Sequence, residues 1–140
     1  TLLARGPCTI QGNVVIHASA KIHPSAMLGP NVSIGPNVTI GQGVRIVDAI
    51  ILDDVVIKDR ACVMHTVVCE ECVVGQWCRL EGLPTTSFHP SSLSESGADR
   101  REGTTILGKG VSAKPETLVR NCIVMPHKSL KHNYFNEILL

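Results

Sequence analysis

"GPNVSIGPNVTIGQGVRI", residues 29–46, repeats a six-residue phrase three times in succession. Each phrase closes on a large aliphatic residue, and the three closing residues are Ile34, Ile40 and Ile46. A period of six residues fits neither the 3.6-residue turn of an α-helix nor the alternation of a simple two-layer sheet. It is typical of a hexapeptide β-helix, in which each phrase supplies one short strand and one corner of a triangular coil.

The repeat continues in both directions from the quoted stretch, and the closing residues are then distributed over three faces. The residue two positions before each closing residue is small or β-branched, and neither set of positions contains a charged residue. Because side chains at like positions stack from coil to coil, we expect three inward columns, with coils ~4.8 Å apart. The predicted column of face one is Ile10, Leu28, Ile46, Val63, Leu80 and Val119; that of face two is Ile16, Ile34, Ile51, Val68, Leu107 and Val124; that of face three is Ile22, Ile40, Ile57, Val74 and Ala113.

Residues that tolerate a left-handed backbone recur at the corners of the predicted coils. Asn31 and Asn37 each follow a proline, and Asn13, Gly43 and Asp54 occupy the equivalent position of other phrases. Asn, Asp and Gly adopt positive φ more readily than other residues. We therefore expect a tight turn with positive φ at each of these five corners.

Three phrases are one residue short, and all three join face one to face two. These steps run from Ile46 to Ile51, from Val63 to Val68 and from Val119 to Val124. The polar gap between Leu80 and Leu107 interrupts the repeat at the same edge. The sequence therefore predicts one all-β domain over 1–140 with one long extruded loop: coils over 8–80 and 105–125, the inserted loop at 81–104, and a C-terminal tail at 126–140.

Composition excludes several other classes of protein. The net charge is +1 with thirteen basic and twelve acidic residues, which does not favour binding to nucleic acid. The longest apolar runs are only a few residues, too short for a membrane span. A chain of 140 residues does not need disulfides to hold a core, so the six cysteines indicate reduced thiols and a cytoplasmic protein.

Cysteines and histidines are the residues on which an active site would depend. Cys69 and Cys72 have the spacing of half a zinc site, but Cys72 lies on an inward column and Cys69 at an outward corner, so their sulfurs should diverge. We interpret Cys8, Cys78 and Cys122 as small apolar core residues. The sequence therefore predicts no metal ligands, no catalytic residues and no cofactor-binding residues in this domain.

The histidines support a rival hypothesis, that of an acyltransferase. Many hexapeptide β-helix proteins transfer acyl groups from an acyl-CoA donor with a histidine base beside a groove between subunits. His17, His23 and His65 lie at corners and His89 lies in the loop. Any of them has the chemistry of a general base, but a solvated corner histidine needs no such role, and the sequence supplies no orienting partner.

Several segments together resemble the C-terminal β-helix of mannose-1-phosphate guanylyltransferase, and most closely its alpha type. They are "GNVVIHASAKIHPSAMLGPNVSIG", "VRIVDAIILDDVVI", "VVGQWCRLEG", "TTILG", "NCIVMPHKSL" and the terminal "NEILL". The resemblance implies a left-handed parallel β-helix that serves assembly and regulation in GDP-mannose biosynthesis. The family's reaction joins mannose 1-phosphate to GTP with a divalent metal, in an N-terminal nucleotidyltransferase domain that these 140 residues do not contain.

The resemblance also implies the partners of the domain. We expect a homo-oligomer, a hetero-oligomer with a catalytic guanylyltransferase beta-type subunit, or both, in which the alpha type regulates the catalytic homologue. The loop is either a tolerated flexible insertion or an arm that contacts a partner, and the aromatic tail is either a cap on the last coil or a docking surface. The residues we single out for partner contact are Phe88, Asp99, Arg100, Arg101, Tyr134 and Phe135.

Overall fold

The computed structural model of the chain describes residues 8–82 and 103–140. Over these two ranges every regular element is a short β-strand. These residues contain no helix that is long and apolar enough to cross a membrane. In chain order the strands are β1 (Thr9–Ile10), β2 (Val14–Ile16), β3 (Lys21–Ile22), β4 (Met27–Leu28), β5 (Val32–Ile34), β6 (Thr39–Ile40), β7 (Arg45–Val47), β8 (Ala49–Ile51), β9 (Val56–Ile57), β10 (Cys62–Met64), β11 (Thr66–Val68), β12 (Val73–Val74), β13 (Arg79–Glu81), β14 (Thr105–Leu107), β15 (Ser112–Ala113), β16 (Leu118–Arg120), β17 (Ile123–Val124), β18 (Ser129–Leu130), β19 (Tyr134–Phe135) and β20 (Ile138–Leu139).

The strands form three parallel sheets, one for each face of a triangular prism. Face one is β1-β4-β7-β10-β13-β16-β19, face two is β2-β5-β8-β11-β14-β17-β20, and face three is β3-β6-β9-β12-β15-β18. We number the coils 1 to 7 from the N-terminus; each of the first six contributes one strand to every face, and coil 7 contributes β19 and β20. The parallel β-helix predicted from the hexapeptide period is confirmed.

The predicted columns also have the register that the sequence indicated. On face two, for example, Ile34 pairs with Ile51, and Ile51 pairs with Val68. The insertion lies between β13 on face one and β14 on face two, at the predicted edge. Each of the three frames was therefore assigned correctly from the spacing of the closing residues.

The core is a narrow column of aliphatic and small side chains. Closing residues such as Ile46, Val63 and Leu80 are fully buried, and so are the small residues two positions earlier, such as Ala61 and Cys78. Three strands surround the axis of each coil, which leaves little room between them. A prism of this width accepts Val, Ile, Leu, Ala and Cys, and this explains why aromatic residues make up only 3% of the chain.

Most corners have the backbone conformation that their sequence predicted. Asn31, Asn37, Gly43 and Asp54 have φ values of 60°, 57°, 66° and 59°. The prediction for Asn13 is wrong, because the left-handed residue of that corner is Gly12, with φ of 68°. A Cβ on Gly12 would lie 2.9 Å from Cβ of Pro30 in coil 2, so the close approach of that proline favours a glycine.

The prism continues beyond residue 125, where the sequence placed the start of a tail. Leu130 pairs with Ala113, Tyr134 with Val119 and Leu139 with Val124, so each of the three inward columns gains one more residue. Leu130 is fully buried, and Tyr134 and Leu139 pack against the end of the core. Residues 126–140 therefore form the last strands of the solenoid.

Candidate functional site

The corner between faces one and two carries the insertion, and we call it the insertion corner. The N–H of Gly82 donates to the carbonyl oxygen of Met64 at 2.8 Å, and the N–H of Thr105 donates to that of His65 at 3.2 Å. Met64 and His65 are neighbours in coil 4. The last described residue before the insertion and the first strand after it therefore bond to the same peptide segment of the coil below.

Gly82 has no room for a side chain. A Cβ at this position would lie 2.1 Å from the carbonyl oxygen of His65 and 2.4 Å from that of Gly103. Both are backbone atoms, which cannot move aside as the end of a flexible side chain can. The two ends of the insertion are thus in direct contact, and glycine is required by space at the last described residue before the insertion.

A buried carboxylate ties the strand before the insertion to the coil above. Glu81 is only 7% exposed, and its two carboxylate oxygens face the guanidinium groups of Arg79 and Arg120. The Nε of Arg120 lies 3.1 Å from Oε2 of Glu81. Because both arginines are more than half exposed, water shares in stabilising their charge, whereas the carboxylate depends on these two partners. The arrangement fixes β13 against β16.

Polar side chains follow the same corner from coil to coil. Nδ2 of Asn31 donates to Oδ1 of Asp48 at 3.1 Å, and Oδ2 of Asp48 lies 3.2 Å from Nδ1 of His65. Above the insertion, Nδ2 of Asn121 donates to Oδ1 of Asn136 at 2.9 Å. All five residues have positive φ, so they belong to one stack of tight turns. The insertion interrupts this polar ladder between coils 4 and 6.

The Asp48 carboxylate gives His65 an orienting partner that sequence reasoning missed. A carboxylate on Nδ1 of a histidine fixes the ring and favours the tautomer whose Nε2 accepts a proton. The signal was available, because the shortened steps place Asp48 and His65 at the same corner in successive coils. Of the four histidines weighed as bases, His65 is the one whose imidazole lies beside a carboxylate among the described residues.

His17 and His23 have a different environment, which indicates a role in turn structure. Nδ1 of His17 lies 2.8 Å from Oγ of Ser19, and Nδ1 of His23 lies 2.8 Å from Oγ of Ser25. The serine oxygens in turn accept backbone N–H groups of coil 2, at Asn37 and Gly43. These contacts satisfy the polar groups of two corners. His89 lies outside the described residues.

The inward cysteines are packed as side chains of the prism. The Cys72 thiol donates to the carbonyl oxygen of Gly108 at 3.0 Å, and the Cys78 thiol donates to that of Lys114 at 2.9 Å. Burial raises the pKa of Cys72 to about 11, and it also raises the pKa values of Cys78 and Cys69. Thiols with raised pKa values are poor nucleophiles and poor metal ligands. No group of three potential metal ligands occurs within 8–82 and 103–140.

The residues predicted to contact partners divide into two groups. Phe88, Asp99, Arg100 and Arg101 lie outside the described residues. Tyr134 and Phe135 form β19 at the end of face one, where Tyr134 is half-buried and Phe135 is 46% exposed. The imidazole of His132 lies against the Tyr134 ring, with the centroids 4.4 Å apart. An aromatic group therefore covers the last coil of this face.

The chain is similar to one known protein family over almost its whole length. Residues 10–139 match the family described as GMPPB C-terminal domain. The chain belongs to this family. Its match covers the coils on both sides of the insertion and the last strands, and it confirms the resemblance to the mannose-1-phosphate guanylyltransferase β-helix.

Curated relatives of this domain include several alpha-type subunits. The chain is 49% identical over 80 residues to the mannose-1-phosphate guanylyltransferase regulatory subunit alpha of Dictyostelium discoideum. The aligned residues make up 57% of this chain and 18% of that protein. The chain is 42% identical over 86 residues to the regulatory subunit alpha of Homo sapiens, covering 56% and 20%. The chain thus spans about a fifth of the length of the curated relatives it matches.

A solved structure shares the fold of the domain. The acetyltransferase domain of PglB from Neisseria gonorrhoeae, in complex with acetyl coenzyme A, matches with a TM-score of 0.51 at 11% identity. The match covers 93% of this chain and 52% of that one. At this level of identity the likeness shows a common hexapeptide solenoid and carries no information about activity.

Proposed function

We propose that this domain is the non-catalytic assembly and regulatory β-helix of an alpha-type mannose-1-phosphate guanylyltransferase subunit, with a role in GDP-mannose biosynthesis. Its proposed location is the cytoplasm. The partners we propose are further copies of the chain and a catalytic beta-type homologue, with no role for nucleic acid or membrane. GTP and a divalent metal belong, in this proposal, to a catalytic domain outside these 140 residues.

The observation that carries the proposal is how the two ends of the insertion are fixed to the prism. Gly82 and Gly103 are in contact, Gly82 and Thr105 bond to the same segment of coil 4, and Glu81 is held by Arg79 and Arg120. A long insertion whose base is fixed this firmly is presented at one defined point of a rigid prism. Such loops on rigid scaffolds commonly carry binding functions. We propose that the 81–104 loop reaches a neighbouring catalytic subunit and restrains it.

The first experiment measures pyrophosphate release from GTP and mannose 1-phosphate. The full-length parent protein is assayed alone, and the catalytic homologue is assayed with and without it. We expect no turnover by the parent alone and an altered rate or GDP-mannose sensitivity in the mixture. Robust turnover by the parent alone would overturn the regulatory role and leave the domain as the scaffold of an ordinary guanylyltransferase.

A second experiment tests the insertion itself. Residues 84–101 are replaced by a two-residue Gly-Ser link in the full-length parent, and a matched control keeps the full length with the loop sequence scrambled. We expect both variants to bind the catalytic homologue less tightly or to lose their effect on its rate. Unchanged regulation by the shortened variant would remove the loop from the mechanism while leaving the assembly role in place.

The contact between Asp48 and His65 supports a second candidate function, an acyltransferase with a histidine base. This function requires saturable acyl-CoA binding and loss of activity when His65 is replaced. The test is a calorimetric titration of the 140-residue chain with acetyl-CoA, with His65→Gln as the variant and His23→Gln as the matched corner control. Absence of saturable binding would eliminate this candidate.

A further inference from the structure

The outward column of face two differs from every other exposed surface among the described residues. It is formed by the residues that precede the closing residues: Val15, Ser33, Ile50, Val67, Ile106, Ile123 and Ile138. From coil 3 to coil 7 the column is wholly aliphatic. Ile50 is 47% exposed and Ile138 is 52% exposed, so its ends are open to water. We call coils 3–7 of this surface the apolar stripe.

The two other faces carry mixed or polar outward columns. On face one, Arg45, Cys62 and Arg79 occupy successive coils, and on face three the column begins with Lys21 and Thr39 and ends with Ser112 and Ser129. A sheet with one face in water alternates apolar and polar side chains, whereas a sheet buried on both sides has continuous apolar strands. The strands of face two follow the second pattern, which indicates that another surface covers the stripe.

Charged side chains border the stripe at the corner between faces two and three. This charged corner carries Asp53 and Asp54 in coil 3, Glu70 and Glu71 in coil 4, Lys109 in coil 5, and His127 and Lys128 in coil 6. Backbone hydrogen bonds stack these positions: Glu71 N–H donates to Asp53 at 3.0 Å, Gly110 N–H to Glu70 at 2.9 Å, and His127 N–H to Lys109 at 2.9 Å. The acidic residues lie in coils 3 and 4 and the basic residues in coils 5 and 6, so the two halves of the corner meet between coils 4 and 5.

This distribution of charge is complementary to itself. We propose that the apolar stripe is the interface for a second copy of this chain. The two prisms pack antiparallel, with face two against face two. The two-fold axis lies in the interface, perpendicular to the long axis of the prism, between coils 4 and 5. The proposal rests on the assembly role proposed above and names the surface that performs it. It places Val67 opposite the partner's Ile106, and Ile50 opposite the partner's Ile123.

The same two-fold axis places the charged corner of one copy against that of the other. Glu70 and Glu71 then lie opposite the partner's Lys109, and Asp53 and Asp54 opposite the basic residues of coil 6. Because the interface is isologous, each of these contacts occurs twice. The alternative axis, parallel to the prism, would place every charged corner opposite the partner's insertion corner and separate the acidic from the basic residues. Charge complementarity therefore selects the antiparallel arrangement.

The test uses two charge-reversed forms of the 140-residue chain, Glu70→Lys/Glu71→Lys and Lys109→Glu. Each variant places like charges opposite each other in a self-dimer, so we expect each to dissociate at least about tenfold more readily than the unmodified chain. In an equimolar mixture the two variants are complementary at both ends of the axis, and we expect the heterodimer to form. Sedimentation velocity at low ionic strength measures the unmodified chain, the two variants and their mixture, since salt screens such contacts.

A second pair of variants, at two apolar positions, tests the contribution of the stripe. Ile123→Lys places a charge on the stripe, and Val73→Lys places one on the outward column of face three at a comparable half-buried position. We expect the first to give a monomer and the second to remain dimeric. Circular dichroism and thermal unfolding of each variant confirm that the prism is folded, so that loss of the dimer is attributed to the surface.

Several results would overturn the inference. A monomeric unmodified chain, a dimer that Ile123→Lys leaves intact, or a mixture that does not restore the dimer each contradicts this face or this orientation. Failure is distinguishable from failure of the proposed function. A chain that never dimerises, in a parent that still alters pyrophosphate release by the catalytic homologue, refutes the interface and retains the regulatory role. Dimerisation through the stripe without any effect on the homologue refutes the regulatory role and retains the interface.

Discussion

Ile51 lies on the inward column of face two, between Ile34 and Val68 in the adjacent coils. It is 1% exposed, and the prism around it is filled. Ile51→Asp should lower the free energy of unfolding by about 4 kcal/mol or more, because the carboxylate would have no partner in the core. Urea unfolding measures the loss.

The control for this substitution is Thr39→Asp, an exposed and outward position of face three. It should change the free energy of unfolding by about 0.5 kcal/mol or less. A larger loss in Thr39→Asp than in Ile51→Asp would mean that the inward and outward frames were exchanged.

Cys72 is a second residue whose burial has a measurable consequence. Its pKa is raised to about 11, chiefly by burial. Between pH 9 and pH 11 the unfolded chain therefore loses this proton more readily than the folded chain does, and stability falls as pH rises. Below pH 9 both states keep the proton, and the contribution is constant.

Cys72→Val removes this titration, and valine already occupies the equivalent positions Val55 and Val111. We expect unfolding by urea to show stability at pH 7.5 close to that of the unmodified chain and a smaller decrease between pH 8.5 and pH 10.5. Val55→Ala, at the equivalent position of coil 3, removes no titrating group, so it is the control and should leave the decrease unchanged. An unchanged decrease in Cys72→Val would mean that this thiol is not the titrating group.

At the scale of elements, the insertion should be separable from the prism. Its ends are in contact at Gly82 and Gly103, and its neighbours β13 and β14 are held by ladders to the coils above and below. Replacing residues 84–101 by Gly-Ser should therefore change the melting temperature by no more than about 3 °C, since shortening a closed loop has only a small entropic effect.

Thermal unfolding followed by circular dichroism measures this change. The matched control is a larger excision that removes Gly82 and Gly103 as well. It should destabilise the protein, because the hydrogen bond from the N–H of Gly82 to the carbonyl oxygen of Met64 is lost. A large loss of stability in the Gly-Ser variant itself would show that the insertion packs on the prism.

The strands and corners differ in how far the sequence determined them. A six-residue period fixes the inward columns, because a closing residue such as Ile46 has one place in a narrow prism. The last coil was missed: after Leu130 the columns continue at Tyr134 and Leu139, with steps of irregular length and an aromatic residue. Contacts such as that of Glu81 with Arg120 were also missed, since the insertion separates two residues that neighbouring coils bring together.

At the scale of the whole molecule, each coil of a solenoid contacts only its neighbours, so stability is approximately a sum of local terms. Removing residues 131–140 deletes β19 and β20 and uncovers Val119 and Val124. We expect faster hydrogen exchange in coils 5 and 6, with little change in coils 2 to 4. Mass-spectrometric exchange with peptide resolution measures this difference.

Phe135→Ser is the control for the truncation, because Phe135 is outward and its replacement leaves both strands in place. It should leave exchange in coil 6 unchanged. Uniformly faster exchange along the whole truncated prism would contradict the additive description and indicate a single cooperative unit.

The position of the short steps has a consequence for how such a chain changes over generations. Within coils 1 to 6, all three one-residue deletions and the long insertion fall at the insertion corner, where added or lost residues leave the three inward columns in register. Substitution is confined by the columns, while gain and loss of residues is tolerated at one edge. Lineages of this domain should therefore diverge in length at this edge first, and new loops with new binding properties can arise there without a new fold.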